Sequence, residues 1–273
     1  MRSVLIAVLV FLVSAGSCLA DYDRSKDWFN GMTYRERIRT QFLLVFTGDY
    51  TALVDGAFGR LTYAGLTSFQ NHRDFFPDGV LKPGQKLVLQ RDGLDLVKRV
   101  GFETSHETAS GLTLGVPVKL FETSSPTERG HLRRAHDGSI ELETWRVARH
   151  ESGYETLYRR LTGPQSGRVI RYRTFRNDFF VVSGRQDGRD FYLRVMKTPQ
   201  DSRGFSLFWE PKHTVFMNRL ALAMSSSMSA SRAGGNGGPD ITGDPAPRQN
   251  SLNRTIPLPE TAPSRSAGSG TGS

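Results

Sequence analysis

The apolar positions of this chain change period near its middle. Between residues 33 and 101 they recur at helical spacing: Ile38, Phe42, Val45 and Phe46; then Leu61, Leu66 and Phe69; then a third set from Leu87 to Val100. Stripes of this kind predict three short helices, each with one face that needs a partner. Thr33 and Glu36 have the spacing of a capping box ahead of the first helix. Gly48 follows that helix, where a left-handed residue closes it cheaply. Pro77-Asp78-Gly79 and Pro83-Gly84 read as turns. Residues 21–32, polar apart from Trp28, Phe29 and a few others, read as a lead-in.

From about Gly111 the period becomes two. Ile140 to Thr144 alternates, and Val169 to Thr174 is rich in Val, Ile and Tyr. Phe179 to Val182 is a continuous apolar run, as in a central strand buried on both faces. Asp187-Gly188 between two strand-like runs marks a hairpin. Phe191 to Val195 and Phe205 to Trp209 alternate again. Two helices interrupt this pattern, Glu155 to Leu161 and roughly His213 to Ser227, the latter with Phe216, Leu220, Ala223 and Met224 on one face. The expected class is α+β: a small three-helix bundle (33–101), then an antiparallel-sheet α/β sandwich (111–228) with helices packed on the sheet. The order of the second part loosely resembles a PsbP-like sandwich, in architecture alone. Residues 229–273 hold mostly Ser, Gly, Pro, Ala and Arg, too little apolar surface to offset ordering entropy, and are expected to be a disordered tail.

The N-terminus sets the compartment. Arg2, an apolar run from Val4 to Val13, and the small residues Ser14 to Ser17 make residues 1–20 a secretory signal peptide cut after Ala20. The apolar run falls short of the roughly 20 residues that span a bilayer, so no transmembrane segment is expected after cleavage. An alternative uses Cys18, in the lipobox-like Ala15-Gly16-Ser17-Cys18, as a lipidated N-terminus. Cys18 is the only cysteine; cleavage after Ala20 removes it, and with it disulfides, cysteine zinc sites and thiolate nucleophiles. The formal charge of +9 favours anionic partners, which outside the cytoplasm means wall polymers, anionic sugars or lipid head groups. Export argues against nucleic acid. The expected location is periplasmic or secreted.

The most informative local pattern is Gly48, then Asp55-Gly56, Phe58-Gly59, Thr62 and Phe69-Gln70. Asp55-Gly56 suits a tight turn in which Gly56 takes a positive φ and the carboxylate bonds nearby amides. Phe58 would anchor the loop, Thr62 would cap free amides of the next helix, and Phe69 would close the core. This grammar resembles the small peptidoglycan-binding module attached to exported bacterial wall proteins. The resemblance covers about residues 34–101 and implies a three-helix fold with affinity for wall glycan. The family repeats an Asp-Gly loop before its third helix, whereas here Pro77-Asp78-Gly79-Val80 leads to Lys82-Pro83-Gly84. The candidate glycan-binding groups are those expected to stand exposed beside the turn: Tyr50, Asp55, Arg60, Tyr63 and Gln70. The alternative is that Asp55, Thr62 and Gln70 only hold turns and caps.

Other constellations are weaker. Glu151-Ser152-Gly153-Tyr154 is similar to the Glu-Ser-Gly-aromatic motif of lytic transglycosylases, whose glutamate is a general acid, but no Gly-Leu-Met-Gln segment follows it. Ser152 or Gly153 serves equally as a helix cap. His131, His136 and Asp137 lack the spacing that puts two imidazoles on one helix face. Ser183-Gly184 lacks the Gly-x-Ser-x-Gly frame. Trp145, Arg171, Tyr172, Arg173, Tyr192, Arg194 and Trp209 either form a face that stacks sugars and holds anions or pair across strands. Neither a metal nor a cofactor is implied. The expected function is a non-catalytic exported envelope protein associating with peptidoglycan through its helical part, with an envelope partner for residues 111–228 or the tail. The alternatives are a wall-glycan hydrolase using a carboxylate such as Glu151, and a scaffold protein without wall affinity.

Overall fold

The computed structural model describes residues 21–230; the expected signal peptide and the tail from 231 onward lie outside the described residues. The protein is α+β. The lead-in is itself helical over residues 21–30 (α1), because Phe29 and Ser25 are buried against the chain that follows. Helix α2 (Tyr34–Thr47) starts with the Thr33–Glu36 capping box and ends at Gly48, left-handed at φ 86°. Helices α3 (Arg60–Asn71) and α4 (Pro83–Val100) follow. Gly93 lets α4 lie against α2, since a Cβ there would come within 2.7 Å of the Leu43 side chain.

Strands begin at Phe102, earlier than the expected Gly111. β1 (Phe102–Glu107) and β2 (Leu112–Pro117) form a hairpin. A seven-stranded antiparallel sheet is then built from β3 (Thr123–Pro126), β4 (Gly130–Arg134), β5 (Ile140–Ala148), β6 (Arg168–Phe175), β7 (Phe179–Gln186), β8 (Arg189–Lys197) and β9 (Asp201–Trp209). Its spatial order is β3-β4-β5-β9-β8-β7-β6. Asp187 and Gly188 both take positive φ at the β7–β8 turn, as a two-residue hairpin of matching twist requires. Helix α5 (Tyr154–Thr162) covers one face of this sheet through Tyr154, Leu157 and Tyr158. Helix α6 (Thr214–Ser227) lies against the other. Ser229–Ala230, expected in the tail, form a short strand β10 beside β2.

The sequence pattern gives α6 a single apolar face, but the structure buries it on nearly all sides. Met217, Leu220, Ala221, Leu222, Ala223 and Met224 each have 1% exposure or less. The reason is that α6 touches α2 and β2 as well as β8 and β9. One cluster of buried side chains therefore runs from Leu66 and Phe69 of α3, through Phe42 and Phe46 of α2, to Leu207 and Trp209 of β9. Phe102 sits at the seam, with ring centroids 5.7 Å from Phe42 and 5.2 Å from Phe46.

Because Phe102 belongs to both parts, truncating it should loosen both. We expect Phe102→Ala to cost about 3–5 kcal/mol. Helical circular dichroism, and tryptophan emission from Trp145 and Trp209 of the large sheet recorded in a Trp28→Phe background, should shift to the same lower denaturant midpoint.

Candidate functional site

The loop between α2 and α3 is organised by a residue that its own motif does not contain. Gln41, fully buried on α2, accepts from the Asp55 N–H at 3.1 Å and the Gly56 N–H at 2.7 Å through Oε1. Its Nε2 donates to the Ala57 carbonyl at 2.9 Å, to Thr62 Oγ1 at 3.1 Å and to Asp55 Oδ1 at 3.2 Å. Asp55 in turn accepts from the Ala57 N–H at 2.9 Å, and Gly56 takes φ 70°, as the turn chemistry demands. Thr62 does not cap amides: its hydroxyl donates to the Ala57 carbonyl at 3.0 Å. Phe58 packs on Phe29 at 5.7 Å and on Tyr22 at 5.2 Å.

The same arrangement recurs between α3 and α4. Gln70, also fully buried, accepts from the Gly79 N–H at 2.7 Å and donates to Asp78 Oδ1 at 2.9 Å and the Val80 carbonyl at 3.2 Å. Asp78 accepts from the Val80 N–H at 2.9 Å, as Asp55 does from Ala57. Gly79 takes φ 74°. The Asp78-Gly79 loop thus repeats the Asp55-Gly56 loop, one helix later, despite the different residues that follow it. Helix α1 lies across this second loop: Ser25 Oγ donates to the Gly79 carbonyl at 2.7 Å, and Tyr22 meets Tyr63 edge-on at 5.2 Å.

The five candidate groups consequently separate. Tyr50 and Gln70 are not exposed; both are interior, with Tyr50 at 4% exposure. The Tyr50 hydroxyl donates to the Leu53 carbonyl at 3.1 Å, and burial together with the Asp55 charge pushes the phenol above its ordinary range. Tyr63 is half-buried under Tyr22, while Asp55 and Arg60 are exposed. Sequence reasoning overlooked Tyr34. Its ring lies against Gly56, the Arg37 guanidinium sits 5.8 Å from its centroid, and 41% of it is exposed. Its position as the first residue of α2, directly after the capping Thr33, was the available signal.

Glu151, whose motif would bury a transglycosylase acid, is exposed and forms a surface ion pair with Arg129 at 2.7 Å while Gly153 caps α5. His131 and His136 diverge: His136 pairs with Glu122, whereas His131 turns toward Ser124 and Glu107. Nor do the aromatic and guanidinium residues of the sheet share one face. Tyr172, Tyr192 and Trp209 pack in the α6 core and Trp145 in the α5 core, while Arg171 and Arg173 are exposed. Behind them Asp190, with a side chain only 2% exposed, accepts from Arg185 at 2.9 Å and from Thr214, the first residue of α6. Burial works to raise its pKa, but the hydrogen bonds from Arg185 and Thr214 outweigh it and hold the carboxyl below its usual range.

A depressed folded pKa stabilises the protein above the unfolded value of about 3.9 and loses that contribution as pH falls through the folded value. Urea midpoints measured between pH 7 and pH 3 should therefore fall less steeply for Asp190→Asn than for the wild type, the variant being less stable at pH 7. Separately, Gln41→Ala leaves the Asp55 and Gly56 amides without their acceptor. It should cost about 2–3 kcal/mol, read by denaturation, and should speed amide exchange at Gly56.

No family model matches the chain, and no curated protein matches it. Among solved structures it is similar to the solution structure of cyanobacterial PsbP (CyanoP) from Synechocystis sp. PCC 6803, at 10% identity and a TM-score of 0.37, over 48% of this chain and 92% of that one. A likeness of that grade carries no argument about function.

Proposed function

We propose that this is an exported envelope protein that associates with peptidoglycan, or a closely related wall glycan, through residues 33–101. The observation that carries the reading is the pair of glutamine-held Asp-Gly loops, one after α2 and one after α3. They supply the repeat that the peptidoglycan-binding resemblance calls for. Beside the first loop, Tyr34, Asp55 and Arg60 stand exposed. An aromatic face flanked by a carboxylate and guanidinium groups suits a glycan bearing hydroxyls, amides and carboxylates. Helix α1 packs on Phe58 of the first loop as well as on Gly79 of the second, and the contact surface is assigned to the first because Tyr34, Asp55 and Arg60 remain exposed beside it.

The part of residues 33–101 in this reading is adhesion, with no catalytic role for Glu151. Export rests on the N-terminal pattern. Among the described residues no helix is long and apolar enough to cross a membrane.

The test is co-sedimentation of the chain from Asp21 onward with purified sacculi. The wild type should be retained. Tyr34→Ala and Arg60→Ala, both exposed, should each weaken retention about tenfold, the scale of one central interface contact, with unchanged thermal unfolding. A folded wild type that stays in the supernatant overturns the proposal in favour of a scaffold without wall affinity.

A further inference from the structure

We propose that Ser124, His131 and Glu107 form a catalytic triad that hydrolyses short-chain carboxylic esters. The three residues come from β3, β4 and the end of β1. In the β3–β4 pair Ser124 lies opposite Arg133 and Pro126 opposite His131, so Ser124 and His131 share one face as diagonal neighbours. The Ser124 hydroxyl is 2.8 Å from His131 Nε2, and His131 Nδ1 is 3.6 Å from Glu107 Oε2. Exposure is graded along the chain of contacts: Ser124 is exposed, the His131 side chain is 28% exposed and the Glu107 side chain 3%. A nucleophile open to solvent, a half-covered base and a buried orienting carboxylate are the three proton-handling groups of nucleophilic acyl transfer.

The carboxylate is held in place from its other side. Glu107 Oε1 accepts from Arg133 at 2.8 Å and from Ser105 Oγ at 2.6 Å. The two bonds fix one oxygen while the other faces the imidazole. Nδ1 then carries the proton toward Glu107 and Nε2 presents its lone pair to the serine hydroxyl. The wider His–Glu gap is of the kind that closes when substrate binds.

In the first half-reaction Ser124 Oγ attacks the ester carbonyl carbon and its proton passes to His131 Nε2. The C–O bond to the alcohol breaks, and the alcohol leaves with that proton. Water, deprotonated by the same nitrogen, then attacks the acyl-serine and releases the carboxylic acid, restoring Ser124. One ester and one water give one acid and one alcohol. Ser124 stands exposed on the edge strand of the sheet, which suits a short acyl group such as acetyl better than a long chain. The seven-residue separation of Ser124 and His131, with Glu107 on another strand, has no local sequence signature, so the constellation emerges only on folding.

The full chain should react with a fluorophosphonate probe to give a single adduct at Ser124 by peptide mapping, and should hydrolyse p-nitrophenyl acetate. Ser124→Ala should abolish both. His131→Gln should slow both by about 100-fold or more, the scale of a lost general base, while Ser125→Ala should react as the wild type does. Ser124 is exposed and His131 is partly so, which leaves folding of these variants verifiable by circular dichroism. No adduct on the folded wild type, an adduct elsewhere, or an adduct at Ser124 formed equally fast in His131→Gln would overturn the proposal.

Discussion

A helix with almost no solvent face is the constraint on which the rest of this structure depends. α6 is buried because it separates two layers that would otherwise both expose apolar surface: the helices α2–α4 with the β1–β2 hairpin on one side, the large sheet on the other. A helix apolar on nearly all sides has no other stable place. Its last turn makes the contacts specific. Ser225 bonds the Tyr192 hydroxyl of β8 at 2.9 Å, Ser226 accepts from the Val54 N–H at 3.1 Å, and Ser227 accepts from the Gly115 N–H of β2 at 2.7 Å. Three consecutive serines thus reach three different parts of the fold, and each satisfies a buried or half-buried polar group that would be costly left alone. Packing supplies the bulk of the stabilisation, and these bonds fix the register of one layer on the other.

The helical layer solves a related problem within itself. Its two interhelical loops run close to the core, where backbone N–H and C=O groups need partners. A glutamine amide carries two donors and an acceptor with two lone pairs, enough to replace a short piece of strand ladder. Gln41 and Gln70 each do this for an Asp-Gly turn, so the turn geometry depends on helix residues 14 and 8 positions upstream of the aspartates they bond. Held this way, the first loop fixes the spacing of exposed Tyr34 and Asp55, which the proposed glycan contact would use.

What could be read from the sequence was whatever depends on neighbours in the chain. The Thr33–Glu36 box, the Gly48 cap, the Asp187-Gly188 hairpin and the buried Phe179–Val182 strand are local devices, and each appears where the pattern placed it. Exposure was less legible. Tyr50 and Gln70 carry polar groups and sat in a stretch expected at the surface, yet α3 and its loops fold over them. Gln41 was invisible because a lone glutamine on an apolar helix stripe has no spacing that announces its partners. The relation of Ser124, His131 and Glu107 depends on strand register and on one sheet meeting another, and register is a tertiary property. Trp145 and Trp209 likewise fall in different cores for reasons of strand alternation that cannot be fixed before the pairing is known.

The charge of the chain gains meaning from the same accounting of buried groups. Several arginines that contribute to the +9 excess work inside the fold. Arg133 holds Glu107, Arg185 holds Asp190, Arg203 holds Asp201 at 2.9 Å, and Arg73 lies 3.6 Å from Asp49 while also bonding Asp92. A buried carboxylate without such a partner would cost several kcal/mol, so roughly one arginine per interior acid is structurally required. Each pairing, however, removes one positive and one negative charge together. The excess is therefore not consumed in the interior but is displaced to the surface, where Arg60 and Arg173 are exposed. Electrostatic attraction of this chain to an anionic polymer would then act through a surface more basic, relative to its acids, than the sequence as a whole, and would weaken with ionic strength as surface charge does.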